Sequence, residues 1–321
     1  MAKRYDFVVI GGGLVGCMVC LSISSKNKSV CLIEKNSINK IISDDYSPLS
    51  LSINSVNFLK EKNIWDENLI KSNLIESLYI KLFNSFNTIK ISTSDINLES
   101  IGEVVDKVSF LSHLRNLCKK KKNIDVMDNT ELDINQLESL SKIYLPNESK
   151  ALDFGQLIVT DGTNSKFAEK LNIPYKNINY DQTSYIFNSE YDSMEKSAAQ
   201  IFTDKGVFAV LPGNGNKKSI VATIHNKFID DFKFESNTVN RNLLESQLLP
   251  YIKNLKNLKL IYKHPLNTAR LDNWFFKGTL FLGNSSQLLH PFGAQGSCLV
   301  NQTLTNIHRI AVRYIVKGLL D

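Results

Sequence analysis

No stretch of the 321 residues approaches the run of about 20 apolar residues that a membrane-crossing helix needs, so the sequence argues against a spanning helix. The five cysteines fall in no paired framework, which argues against a disulfide-stapled scaffold and for a reducing compartment. No Pro/Gly/Ser-rich linker divides the chain and no internal repeat recurs, so neither tethered modules nor a solenoid is expected. Cys17 and Cys20 form a CxxC, but no second Cys/His pair completes a zinc site. They read as small residues packing a helix on a sheet, and no metal is expected. The net charge of +6 is mild, and its densest run, Lys119–Lys122, lacks the Arg and aromatic residues of a nucleic-acid face. That run reads as the solvated last turn of a helix, where cations suit the macrodipole. Nucleic acid is therefore not an expected partner, while an anionic membrane surface stays compatible with the charge.

What is present begins at the N-terminus. There the apolar run in MAKRYDFVVIGGG is soon broken by glycines, as in a strand and not a signal peptide. YDFVVIGGGLVG (Tyr5–Gly16) reads as a buried strand followed by Gly11-x-Gly13-x-x-Gly16, with a helix over 14–25 and a second strand, Ser29–Lys35, that carries Glu34 near its end. Each glycine has its own part. Gly11 makes the tight turn, Gly13 lets a pyrophosphate approach the backbone, and Gly16 lets the helix lie close on the strand. The helix N-terminus, at Leu14 and Val15, offers free N–H groups to phosphate oxygens. Glu34 stands where a carboxylate accepts from ribose hydroxyls, which favours an adenosine ribose without a 2′-phosphate. The turn alone leaves NAD and FAD both open.

Two further strand-to-turn sites follow, LIVTDG (Leu157–Gly162) and LGNSSQLLHPFGAQG (282–296). Helices are expected near 52–62, 108–121 and 240–257, and strands near 78–83, 157–161, 200–203, 207–212 and 219–224. Three dispersed ligand-like turns with many short strands between them suggest a second, sheet-rich layer.

The chain resembles the FAD-dependent aromatic hydroxylases, the group A flavoprotein monooxygenases, and within them the branch that hydroxylates polyprenyl phenols in ubiquinone biosynthesis. GGGLVG with Glu34 matches the family's first motif. LSINSVNFLKEKNIW (Leu51–Trp65) is similar to its ALSxxSxxxLxxLGxW helix, and IGEVVDKVSFLSHL (Ile101–Leu114) to LGYVVExxxLxxxL. DGTNS (Asp161–Ser165) stands at its DG motif. Tyr180–Phe187 and Ala198–Pro212 resemble YxQxAIVA and FTxxGPLALLP, and LGNSSQLLHPFGAQG resembles LGNAAQxLHPxxGQG. The sequence departs from the family in four positions: Ser47 stands near the place of its DxRxxALS arginine, Ala294 at the first glycine of GQG, and Cys298 and Thr303 at a later Asn and Asp.

The resemblance implies an α/β fold: an FAD-binding Rossmann-like domain (GR2-type, para-hydroxybenzoate-hydroxylase-like) with an interleaved sheet-rich substrate domain. It divides the chain into FAD-binding segments 1–75, 101–174 and 266–321, and substrate-domain segments 76–100 and 175–265; the family continues with further helices past the position of residue 321. It implies FAD held by Gly11, Gly13, Leu14, Val15, Gly16, Glu34, Lys35, Ser52, Asp161, Gly162, Gly283, Asn284, Pro291, Gly293, Ala294, Gln295 and Gly296. It places Pro212, His290, Pro291 and Gly293 at the reacting centre, with the His-Pro pair shaping a turn above the flavin or, as the alternative, His290 moving a proton. His113, His225, His264 and His308 are expected at the surface or in packing, and Tyr185 and Phe208 in the core rather than on a substrate-cavity wall. The implied reaction is hydroxylation of a polyprenylated phenol through a C4a-hydroperoxyflavin, with NAD(P)H and O2 as co-substrates. The implied setting is cytoplasmic, peripheral to the inner membrane, with a multiprotein ubiquinone-biosynthesis complex or a homodimer as possible assemblies. The alternatives are a hydroxylase of another aromatic substrate and a weakly active or non-catalytic FAD-fold partner in a biosynthetic complex.

Overall fold

The computed structural model describes residues 4–24, 28–39, 46–83, 85, 87–132, 142–145, 151–193, 196–213, 218–234 and 239–288. Its first sheet has five parallel strands, in the order Thr279–Phe281, Ala151–Val159, Arg4–Ile10, Val30–Ile33 and Ile124–Met127. Two short antiparallel strands, Phe275–Phe276 and Lys142–Tyr144, join its far side. Alternation sets which face each residue serves. Val9, Val30, Leu32 and Ile158 pack in one core with Cys17, Cys20, Leu114 and Cys118 from the helices Leu14–Ile23 and Lys107–Lys120. Val8, Ile10, Cys31, Ile33, Leu157 and Val159 face the opposite core with Phe167 and Phe281. Both faces are covered, as a parallel sheet requires. The CxxC sulfurs are thus packing groups buried between helix and sheet, as expected.

The second sheet has eight strands, in the order Gln287–Leu288, Ile252–Leu271, Tyr175–Ser193, Lys218–His225, Gly206–Leu211, Ser197–Phe202, Ser77–Lys81 and Thr88–Ser92. All its pairings are antiparallel except Ser197–Phe202 with Ser77–Lys81. Tyr185 and Phe208 are fully buried in its core, where Tyr185 meets Phe234 at a ring separation of 5.0 Å and Phe208 meets Phe232 at 5.8 Å. They are core residues and not cavity walls. A third sheet joins Pro48–Ser52, Gly102–Asp106 and Ser72–Ile75.

One expected element is corrected. The helix expected over 240–257 stops at Leu248, and Ile252 opens a 20-residue strand. Pro250 removes a backbone donor and disfavours helical geometry at Leu249, so the helix cannot run on. The three-residue spacing of Ile252, Leu255 and Leu258 imitates a helical stripe, but these residues belong to a strand paired with Tyr175–Ser193. The other expected helices lie at Ile53–Glu61 and Lys107–Lys120, and Lys119 and Lys120 do form an exposed last turn.

Candidate functional site

Parallel pairing brings the dispersed turns to one edge. Ile10 is in register with Val159 and with Ile33, and Val159 with Phe281, so four strands end side by side. Past those ends lie Gly11–Gly13, Glu34, Thr160–Gly162 and Gly283–Ser285. Backbone bonds lock the exits together: Gly11 N donates to Ile33 O (2.8 Å), Thr160 N to Ile10 O (2.8 Å) and Leu282 N to Val159 O (2.9 Å). Ligands of open parallel sheets bind at this carboxyl edge.

Gly11 takes φ +100°, and a Cβ there would meet Thr160 O at 2.6 Å, so the tight turn demands glycine. A Cβ at Gly16 would stand 1.8 Å from Gly11 O, which is the close helix-on-turn approach that the spacing implied. Gly13 differs: no described residue lies within 4 Å of the place its Cβ would take. It is the N-cap of Leu14–Ile23, whose first backbone bond inside the helix runs from Cys17 N to Gly13 O. The first-turn amides of such a helix have no intrahelical acceptor. A Cβ at Gly162 would likewise meet no described residue within 4 Å. Gly283, at φ +64°, brings the distant turn against the first helix, since a Cβ there would meet Val15 Cγ2 at 2.8 Å. The short helix Gly283–Ser285 is pinned by Ser285 Oγ, which donates to Val159 O (2.8 Å), and by Tyr175 OH, which donates to Ser285 O (2.7 Å). Asn284 is exposed beside it.

Glu34 is buried, and its carboxylate accepts from Gly12 N (2.6 Å), Asn36 N (2.9 Å) and Asn36 Nδ2 (3.3 Å). Lys35 is exposed. Asp161 sits at the rim. Desolvation of its carboxyl raises its pKa, against the lowering by the Ser165 hydroxyl (2.9 Å), the backbone amides of Asp161 and Lys166, and the Lys35 cation. Pro212 is half-buried just past the strand Gly206–Leu211. Ser52 acts locally, its hydroxyl capping the Ile53–Glu61 helix by accepting from Ser55 N at 3.3 Å. Ser47 is tied to the start of the Lys107–Lys120 helix, its amide donating to Asp106 Oδ1 (2.9 Å) and its carbonyl accepting from Lys107 N (2.8 Å). His290, Pro291, Gly293, Ala294, Gln295, Gly296, Cys298, Thr303 and His308 lie outside the described residues. Of the other histidines, His113 Nε2 meets Ile64 O (2.9 Å), His225 pairs with Gln182 and His264 stacks on Tyr262. No group of metal-ligating side chains stands among the described residues.

Two residues at this edge escape the sequence reading. Thr160 Oγ1 donates to Ile10 O (2.7 Å) and Gly11 O (3.0 Å), bracing the turn from the neighbouring strand. Arg115 is buried beneath it, with Nε donating to Gly12 O at 3.0 Å and Nη1 to Ile38 O at 3.1 Å. No local motif marks either; an Arg-Asn pair between helix leucines reads as surface until the helix is docked. The edge as built fits a dinucleotide: no described residue crowds Gly13 or Gly162, a run of amides stands at a helix N-terminus, and a carboxylate lies at the end of the second strand.

The family profile described as Glucose inhibited division protein A matches residues 6–260. The chain is 27% identical over 231 residues to "Ubiquinone biosynthesis monooxygenase COQ6, mitochondrial" of Caenorhabditis elegans, covering 66% of this chain but only 50% of that protein. It is 20% identical over 327 residues to "Ubiquinone hydroxylase UbiL" of Rhodospirillum rubrum, covering 98% of this chain and 73% of the relative. Among solved structures, p-nitrophenol 4-monooxygenase PnpA of Pseudomonas putida superposes with a TM-score of 0.73 at 13% identity, over 99% of this chain and 82% of the other. A PqsL mutant of P. aeruginosa gives a TM-score of 0.75 at 12% identity, over 98% and 88%. The fold is that of the FAD-dependent monooxygenases, with mixed α/β sheets, as the sequence resemblance implied.

Proposed function

The chain belongs to the glucose inhibited division protein A family, and on that premise we propose that it is an FAD-dependent monooxygenase of ubiquinone biosynthesis, hydroxylating the ring of a polyprenylated phenol with NAD(P)H and O2 as co-substrates. The observation that carries the reading is the convergence of Gly11–Gly16, Glu34, Asp161–Gly162 and Gly283–Asn284 on one sheet edge. Bound FAD would supply the electron transfer and the oxygen chemistry. The protein's part is to hold and orient it. The amides at Leu14, Val15 and Gly16 meet the diphosphate, Glu34 the adenosine ribose, and Asp161, Gly162 and Asn284 the flavin half. Pro212 borders the substrate side, with segments 76–100 and 175–265 forming the substrate domain around it. No helix among the described residues is long and apolar enough to cross a membrane. A substrate with a long isoprenoid tail then calls for peripheral docking on a membrane surface, which the net charge of +6 favours.

The test is the visible spectrum of the purified protein, followed by substrate-dependent NAD(P)H oxidation and a mass gain of one oxygen on a prenylated phenol. A protein with no flavin bands, and none after incubation with FAD, sinks the reading. A second reading, a weakly active or non-catalytic FAD-fold partner, draws on Ser47, which stands near the place of the family's arginine and is bonded to Asp106 and Lys107. Flavin bands without substrate-dependent turnover would select it.

A further inference from the structure

We propose that Arg115 is a positioning residue for the dinucleotide turn: it holds the Gly12–Gly13 peptide with its amide toward the cleft and places a buried positive charge behind the diphosphate. The inference rests on the FAD reading above.

Arg115 projects from the Lys107–Lys120 helix and is 8% exposed. Its hydrogen-bond partners are two carbonyls, Gly12 O and Ile38 O, and among the described residues it forms no ion pair. A buried cation that meets only carbonyls among the described residues carries a desolvation cost that none of them compensates. An anion bound on the far side of the turn offsets that cost.

The geometry of the turn gives the charge its direction. In a planar trans peptide the N–H points opposite to the C=O. Arg115 takes the carbonyl of Gly12, so the Gly13 N–H faces away from the helix layer, at the residue whose Cβ position no described residue crowds. On the other side Glu34 Oε2 takes the Gly12 N–H at 2.6 Å. Two consecutive peptides of the turn are therefore fixed by buried charges of opposite sign, the 11–12 peptide by Glu34 and the 12–13 peptide by Arg115. Cys17 Sγ adds a weaker contact to Gly12 O at 3.6 Å.

A tie that merely joins the helix to the turn would, when cut, weaken every ligand of the site equally. A charge behind the diphosphate discriminates. The experiment measures FAD dissociation by flavin fluorescence, and ADP and adenosine as competitors of FAD, for the full chain and for Arg115→Met, Arg115→Gln and Arg115→Lys, with circular dichroism of each apo-protein. The expected result is a loss of about tenfold or more in FAD and ADP affinity for Arg115→Met, the range of a hydrogen bond to a charged group. Adenosine should change less than about twofold, and Arg115→Lys, which keeps the charge, should recover most of the loss. Arg115→Gln keeps a donor for Gly12 O without the charge and decides the matter if the methionine variant does not fold; it too should lose ADP and spare adenosine. A folded Met or Gln variant with unchanged FAD affinity, or one that loses adenosine as steeply as ADP, overturns the proposal while wild-type flavin binding leaves the FAD reading standing. Wild-type protein that binds neither FAD nor ADP overturns the FAD reading itself.

Discussion

The two ends of the parallel sheet are finished in opposite ways. At the N-terminal ends of the strands the polar groups satisfy one another. Asp6 accepts from Ser29 N and Ser29 Oγ (2.9 Å each) and from Lys28 Nζ (3.0 Å), and Asn123 Nδ2 donates to Lys28 O (2.8 Å). At the C-terminal ends the buried side of the turn is braced by Thr160, Arg115 and Glu34, while Gly13 and Gly162 meet no described residue, Lys35 and Asn284 are exposed, and Asp161 is exposed except at its carboxyl, which is packed against Ser165. The same strands thus end in a closed clamp below and in a braced cradle above. Polar groups saturated by the protein itself have little left for a ligand; the cradle has donors, space and a rigid floor.

The comparison breaks most readily inside the cradle. Gly16→Val puts a branched side chain where even a Cβ would lie 1.8 Å from Gly11 O and 2.7 Å from Thr160 Oγ1. We expect a loss of about 3 kcal/mol or more, the upper part of the overpacking range, with flavin binding lost alongside. Chemical denaturation of the apo-protein reads it, and a variant as stable as wild type would mean that the turn is not packed as described. Gly13→Val is the contrast. With no described residue within 4 Å of its Cβ, the variant should fold, at a cost of about 1 kcal/mol for the poorer N-cap, and lose FAD by at least about a hundredfold. Unchanged FAD affinity in a folded Gly13→Val protein would show that no phosphate passes over this turn.

The glycine spacing was legible in the sequence because Gly11 and Gly16 answer local steric demands, and the strand before and helix after the turn are contiguous with it. The place of Glu34 was legible from the apolar run Val30–Ile33 that it ends. What was not legible depends on distant partners. The Ile252–Leu271 strand has a three-residue apolar spacing that reads as helix, and only its pairing with Tyr175–Ser193 decides otherwise. Arg115 lies about a hundred residues from the turn it braces and looks like any helix-surface arginine until Leu114 and Cys118 bury the helix on the sheet. Tyr185 and Phe208, by contrast, were expected in the core and lie there, although the Phe232 and Phe234 rings that enclose them come from beyond the strand.

The lower clamp predicts a smaller, pH-dependent effect. Desolvation acts to raise the Asp6 pKa, but the Ser29 amide, Lys28 and the Ser29 hydroxyl outweigh it and hold the carboxyl below its usual range. A depressed carboxylate contributes stability above its unfolded pKa and loses it as pH falls through the folded value. Asp6→Asn should therefore cost stability at neutral pH, at most about 1 kcal/mol given the partial exposure of the pair, and the deficit should shrink in acid. Denaturation midpoints at neutral and acid pH measure it; a deficit independent of pH would assign the loss to packing.

The smallest expected effect has the opposite sign and tests the comparison directly. Asp161 stands at the upper end of the strand beside Asp6's own, and there desolvation wins, so the folded state raises its pKa despite Ser165 and Lys35. A raised carboxyl contributes stability below its unfolded pKa, about 3.9, and that contribution is lost as pH rises through the folded value. At neutral pH the ionised Asp161 is then a net cost to the apo-protein. Asparagine keeps an acceptor for the Ser165 hydroxyl and removes the charge, so Asp161→Asn should leave apo stability at pH 7 equal or a few tenths of a kcal/mol higher, with the difference vanishing in acid. Flavin affinity should fall in the same variant, because Asp161 stands at the strand end where the proposed flavin half lies, and perturbed carboxyls cluster at such sites. An Asp161→Asn protein that loses stability at neutral pH as Asp6→Asn does, with its FAD affinity intact, would show that both ends of the sheet are clamps, and the cofactor would then have to be sought away from this edge.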